Sequence, residues 1–269
     1  TARRLHSMMG NTRPSGGELS GPAYTLNVAG TELLLDLGAP LYDKNGARLA
    51  PVDVVLETDS RNPPAKHRIL ELYAEHGFQF PDTAPMALHR GRIDLLEQHL
   101  RRDPALRTST FTFAEIYPPE LGCHDEILAT HGTPLAGATL LHMCADYNEI
   151  EIARWLLDRG MNPDQPARTD SDGFGGHTAL FSTVVSQANF WTNQRGQSSD
   201  AAITRMLLAR GANPNARASL RKQLHPGYGI DGVHEYRHVT PLGWGEEFIF
   251  KALVDQTALR LIADYGGGR

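Results

Sequence analysis

Two features that would assign a protein class at once are missing from this sequence: a set of paired cysteines and a long apolar run. The chain has two cysteines, Cys123 and Cys144, and neither belongs to a CxxC or a Cys/His zinc spacing. The sequence therefore excludes a disulfide framework and gives no sign of a zinc module. No run approaches the roughly 18 apolar residues of a membrane-spanning helix, so no membrane partner is expected.

A dominant charge and the usual catalytic motifs are missing as well. Lys and Arg number 26 against 31 Asp and Glu, a formal net charge of −5, so no nucleic-acid partner is expected. No Walker loop, GxSxG, HExxH or dinucleotide-binding pattern occurs, and neither a cofactor nor a metal ion is expected. Residues 1–21 lack the apolar segment of a signal peptide, which predicts a cytoplasmic protein. A leader removed earlier stays open as an alternative.

What the sequence does contain is a recurring pattern of helix, tight turn, helix and glycine. Its clearest copy begins at Thr139 and ends at Gly160. The second helix of this copy places four apolar side chains on one face at helical spacing: Ile150, Ala153, Leu156 and Leu157. Gly160 then supplies the left-handed residue that commonly ends a helix.

The same pattern returns along most of the chain. It runs again from Thr178 to Gly211 and from Thr240 to Gly266, with weaker copies upstream. We predict about six helix-turn-helix repeats, near residues 30–45, 48–81, 82–106, 137–165, 176–216 and 239–269. Residues 24–269 are predicted to form a single domain, and residues 1–23 a tail or poorly ordered cap.

The motif residues resemble a known repeat. Thr139, His142 and Ala145, followed by Leu-Leu-x-x-Gly-x-Asn at 156–162, are similar to the ankyrin consensus. The match is strong at 139–164, 178–215 and 240–266, and moderate at 49–104. The resemblance implies an all-α ankyrin solenoid of a bacterial type with long finger insertions. It also implies that the Thr caps each first helix and that His142 bridges neighbouring loops.

The spacing of the copies locates the insertions. Thr139 and Thr178 are 39 residues apart and Thr178 and Thr240 are 62 apart, against an ankyrin period of about 33. The surplus residues are placed in four insertions, at 107–137, 165–177, 186–199 and 216–239. The resemblance implies a projecting β-hairpin finger at 216–239, with a shorter acidic finger at 165–177. Long irregular segments in a compact domain are usually functional or disordered.

Candidate contact residues lie in these insertions. The predicted partner-binding residues are Arg217, Arg221, Arg237, Tyr236 and Trp191. An Arg guanidinium can bind a carboxylate or a phosphate through two parallel hydrogen bonds, and aromatic rings supply apolar contact. Two alternatives stay open for the basic finger: it is a solvated loop, or it pairs with the acidic finger beside it. Trp191 stays undecided between a contact residue and a local core.

The leading hypothesis is a scaffold or adaptor that recognises another protein through its concave face and finger loops. Its oligomeric state stays open. The alternative is an enzyme or metal-dependent catalyst with a pocket between the insertions and the concave face. Its candidate acid, base or ligand residues are Asp172, His177, Tyr228, His234 and Glu235. Cys123, His124 and Asp125 are adjacent in the sequence, which argues against a catalytic triad because triad members converge from separate segments.

Overall fold

In the computed structural model, which describes residues 14–58 and 61–269, short helices make up about half of the described chain, with one two-stranded antiparallel sheet. The helices are α1 (Ser20–Tyr24), α2 (Val28–Asp36), α3 (Val52–Glu57), α4 (Pro63–Glu75), α5 (Ala84–His89), α6 (Ile93–Arg102), α7 (Phe113–Ile116), α8 (Glu126–Ala129), α9 (Leu140–Tyr147), α10 (Ile150–Asp158), α11 (Ala179–Val184), α12 (Gln187–Gln194), α13 (Ala202–Ala209), α14 (Pro241–Glu247) and α15 (Gln256–Asp264). The strands are β1 (Ala218–Gln223) and β2 (Val233–Val239).

Six helix pairs form the stack, which confirms the predicted helical-repeat fold. The pairs are α1 with α2, α3 with α4, α5 with α6, α9 with α10, α11 with α13, and α14 with α15. Gly160 and Gly211 follow their second helices with φ angles of 81° and 86°, the left-handed conformation that glycine adopts without strain. After α6, Asp103 and Pro104 take the place of the glycine, and Asp103 is extended.

The first pair includes residues that were predicted to form a tail. The described part of that segment, residues 14–23, contains a 3-10 helix at Gly16–Leu19 and most of α1. Leu19 and Ala23 are fully buried, and the Thr58 hydroxyl donates to the Tyr24 carbonyl at 2.9 Å, which joins the first repeat to the second. The apolar face of α2 needs this first helix to cover it. Residues 1–13 lie outside the described residues.

His142, at a consensus position of the clearest repeat, has the bridging role that the resemblance implies. The Thr139 backbone N–H donates to Nδ1 of His142 at 3.2 Å, and Nε2 of His142 donates to the His177 carbonyl at 2.9 Å. Burial lowers the pKa of His142 to about 4, so the ring is neutral, with one acceptor and one donor nitrogen. His142 therefore ties the start of its own repeat to the loop that begins the next one.

The insertions have a structure of their own. Residues 107–137 contain α7 and α8, and Phe111 pairs with Ala138 at the base of the segment. The 216–239 insertion contains a β-hairpin, as predicted, with Leu220 opposite Tyr236 in the register. The 186–199 insertion contains α12, which packs against a 3-10 turn at Lys251–Leu253 in the last repeat.

These insertions cover the face that the first helices were expected to leave open. Every residue of α5, α9 and α11 is buried, whereas an amphipathic surface helix buries one face only. Thr133 of the 107–137 insertion shows the cause: its hydroxyl donates to the Val185 carbonyl at 2.8 Å and accepts from Nε1 of Trp244 at 2.9 Å. Buried Lys222 of the hairpin donates to the Thr130 carbonyl at 2.9 Å, so the hairpin packs on the 107–137 insertion.

Candidate functional site

The acidic finger and the hairpin finger bind each other. Arg221 donates from Nη2 to Asp170 at 2.7 Å and from Nη1 to Asp172 at 2.9 Å. Next to these two ion pairs, the Gly175 backbone N–H donates to the Ser219 carbonyl at 2.7 Å. The N–H of Phe174, with a smaller contribution from Arg221, lowers the pKa of Asp170. Of the alternatives for the basic finger, the structure shows the one in which the two fingers pair.

The three finger arginines are exposed, but each already has acceptors in its own chain. Arg237 pairs with Glu235 at 2.8 Å, and Arg217 donates to the carbonyls of His238 and Arg269 at 2.7 and 2.9 Å. The guanidinium groups of Arg221 and Arg237 also lie 5.0 and 4.5 Å from the ring centre of buried Phe174. An acidic partner would have to compete with these internal contacts.

Tyr236 was predicted to contact a partner, and the structure instead places it in the core. Its ring centre lies 4.7 Å from that of Trp244, and its hydroxyl accepts the Ile249 N–H at 3.2 Å. The alternation of the hairpin is the reason: Leu220 and Tyr236 face each other across the strands, and both are buried on the side that covers α14.

Trp191 lies on the surface, in a group of rings that we name the aromatic patch: Phe190, Trp191, Tyr228 and Phe250. Phe190 and Trp191 belong to α12, Tyr228 to the turn at the tip of the hairpin, and Phe250 to the loop of the last repeat. Neighbouring ring centres lie 4.9 Å apart for Tyr228 and Phe250, 5.4 Å for Phe190 and Trp191, and 6.2 Å for Phe190 and Phe250. Trp191 is 37 % exposed and the other three rings are half-buried.

The candidate catalytic residues do not converge. His177 is fully buried, its Nε2 donates to the Pro134 carbonyl at 3.0 Å, and burial lowers its pKa to about 3. Asp172 pairs with Arg221, and Glu235 pairs with Arg237. His234 bonds the Asp231 carbonyl at 3.2 Å, while Tyr228 belongs to the aromatic patch. Among the described residues, none of the five side chains hydrogen-bonds another of the five.

The other groups of reactive side chains in the described part of the chain form neither a metal site nor a catalytic site. No cluster of three or more His, Cys, Asp or Glu side chains suited to a metal ion occurs in residues 14–58 and 61–269. His124 pairs with Glu57 at 2.7 Å, which raises its pKa, and Asp125 caps α8. Burial raises the pKa of Cys123. Adjacent Cys123, His124 and Asp125 therefore have separate roles and form no triad.

The sequence analysis did not predict a buried polar cluster that forms around Arg61 and Lys66. Arg61 pairs with Asp146 at 3.0 Å, and its guanidinium lies 4.2 Å from the ring centre of Tyr147. Lys66 lies 4.0 Å from the same ring centre and pairs with Glu149 at 2.8 Å. Although burial opposes it, Lys66 and His67 lower the pKa of Glu149. No local pattern marks this cluster, because its members come from the second and fourth repeats.

Comparison with known proteins agrees with the repeat motif. The family model of the ankyrin repeat matches residues 136–165. Similar solved structures include an ankyrin repeat domain from Acinetobacter baumannii AYE, at 17% identity over 93% of this chain and 98% of that one, with a TM-score of 0.37. Another is the human ASB11 ankyrin repeat domain, at 15% identity over 99% and 92%, with a TM-score of 0.38. No curated protein matches the sequence.

The family match confirms the resemblance where the motif is clearest, and residues 136–165 are an ankyrin repeat. No helix in the described part of the chain has the length and apolar character needed to cross a membrane.

Proposed function

We propose that this protein is a binding module that recognises another protein through the aromatic patch on its insertions, and not through an open concave face. Ankyrin repeats generally mediate protein–protein contacts through fingers and first helices. Here the first helices α5, α9 and α11 are buried, and the 107–137 segment hydrogen-bonds each of them through Ile116, Tyr117 and Thr133. The surface available to a partner is therefore the outside of that cover.

The convergence of four partly exposed rings at one place on this outer surface carries the proposal. Trp and Tyr are enriched among the residues that dominate binding energy at interfaces, because a rigid ring buries much area for little lost conformational freedom. Two of the three segments that carry the patch are joined by Asn189 of α12, whose side chain donates to the Leu253 carbonyl of the last repeat at 3.0 Å. A partner would therefore meet a preorganised surface.

Partner capture followed by a quantitative binding measurement tests the proposal. The tagged protein is used to capture proteins from extracts of its source cell, and a candidate identified by mass spectrometry is then purified. We expect Trp191→Ala to raise the Kd for that partner at least about tenfold, as for a central interface aromatic. Tyr265→Ala removes a more exposed ring (51 % exposed) outside the patch and serves as the control. An unchanged Kd for Trp191→Ala would overturn the proposal.

A further inference from the structure

A polar cleft lies on the other side of the insertion helix α12. It has a volume of about 330 Å³ and lies between α12, the loop that follows it and the start of α13. That volume is at the lower end of the range typical of small-ligand sites. The side chains that decide its chemistry are Asn189, Gln197, Asp200, Thr204 and Asp255.

The cleft carries a net negative charge. Its described lining includes the carboxylates of Asp200 and Asp255 but no Lys, Arg, His or aromatic side chain. Asp255 is 5 % exposed, and its Oδ1 accepts the N–H groups of Thr257 and Ala258 at the start of α15. Neither carboxylate forms an ion pair with any described residue of the chain. Asp200 is exposed, so the two carboxylates give the cleft a negative potential that attracts a cation.

The neutral groups of the cleft point to the same kind of ligand. Thr204 is 1 % exposed, and its Oγ1 has no hydrogen-bond partner among the described residues. The Asn189 amide nitrogen is used by two backbone carbonyls, which leaves its Oδ1 as an acceptor. Hydroxyl, amide and carboxylate oxygens line one cleft, and a cation with several N–H donors is the ligand that such acceptors suit.

We propose that this cleft binds an alkylguanidinium or alkylammonium group. Two sources present that chemistry: an Arg or Lys side chain of the protein partner, and a free polyamine. The first source rests on the proposed function, because Thr192 of the cleft and Trp191 of the aromatic patch are neighbours on α12. The second source stands without it.

Butylguanidine is the probe that tests the site, with butylurea as its neutral isostere and butyrate as the anion. Binding is followed by NMR through the side-chain amide signals of Asn189 and Gln197. We expect butylguanidine to shift these signals and to bind at least tenfold more tightly than butylurea. Equal affinity for the two, or no shift at either amide, would overturn the proposal.

Asp255→Asn is the decisive variant. Asn and Asp cap helices about equally well, so the substitution removes the charge and keeps the cap of α15. We expect butylguanidine affinity to fall at least tenfold. Asp264→Asn makes the same charge change at the exposed end of α15 and should leave affinity unchanged. Unchanged affinity in Asp255→Asn contradicts the proposal.

Two further probes separate the sources. A blocked pentapeptide with one Arg between glycines, compared with the same peptide carrying citrulline, tests access for a side chain, and spermidine tests the free amine. Peptide affinity close to that of butylguanidine indicates a partner side chain, and binding of spermidine alone indicates a small metabolite. Trp191→Ala should leave butylguanidine binding unchanged, so failure of the aromatic patch and failure of the cleft are distinguishable.

Discussion

Arg61 and Asp146 form an ion pair of 3.0 Å in which each side chain is 1 % exposed. The pair joins the second repeat to the fourth, and the same Nη2 of Arg61 also donates to Gln187 at the start of α12. In a regular solenoid each repeat contacts only its neighbours. Here the second and fourth repeats, which are not neighbours in the stack, meet through this pair, and the insertion helix α12 contributes Gln187 to the same group.

Removal of one member of this pair should destabilise the protein strongly. Asp146→Ala leaves the Arg61 guanidinium buried without its carboxylate, and we expect the free energy of unfolding to fall by about 3–5 kcal/mol. Urea denaturation measures it. Asp158→Ala breaks the exposed pair with Arg210 and should cost less than about 1 kcal/mol. Similar losses for the two variants would show that Arg61 finds other compensation.

Two neighbouring glycine sites in α14 should respond in opposite directions. A Cβ at Gly245 would lie 2.4 Å from Cγ1 of Val184 and 2.8 Å from Cδ2 of Leu259, so Gly245→Ala should destabilise by about 1–3 kcal/mol. A Cβ at Gly243 meets nothing closer than 3.5 Å, so Gly243→Ala should stabilise by up to about 1 kcal/mol through helix propensity. Thermal melts of both variants test this. Equal shifts would refute the close packing of α14 on α11 and α15.

Buried histidines should make stability fall in acid. Burial holds the pKa of His142 near 4, against about 6.5 in the unfolded chain. Between these values the unfolded state binds the extra proton, so stability is full above about pH 6.5 and is lost as the pH falls towards 4. His142→Gln should reduce that slope by about 1.4 kcal/mol per pH unit, measured by urea denaturation at several pH values.

His124 provides the control for this pH effect. Glu57 raises its pKa, so its contribution is present below the unfolded value of about 6.5 and is lost as the pH rises through the folded value. His124→Gln should therefore leave the acid slope between pH 4 and 6 unchanged. A reduced acid slope in this variant would contradict the assignment to His142.

The contact between the two fingers should depend on Arg221. Arg221→Glu places a third carboxylate beside Asp170 and Asp172, and like charges at this distance repel. We expect the Gly175 amide, which bonds Ser219, to exchange its hydrogen several-fold faster. Arg210→Glu reverses an exposed arginine elsewhere and should leave that exchange unchanged. Unchanged exchange in Arg221→Glu would mean that the backbone bridge alone holds the fingers.

The sequence predicts the features that depend on residues close together in the chain. The 3.6-residue periodicity of residues 150–157, the glycine after it and the motif from Thr139 to His142 act within one or two turns of helix, so they predict the helical repeats. The separation of Cys123, His124 and Asp125 into different roles follows from the same local geometry.

Only the tertiary structure determines which surface of the protein is exposed to a partner. Tyr236 and Trp191 are both aromatic residues in insertions, yet one is in the core and the other on the surface. Arg61 and Asp146 are 85 residues apart in the chain. Their pairing, and the burial of the first helices beneath the insertions, depend on which segments fit together in space. That fit is a property of the packed chain, and no single segment contains it.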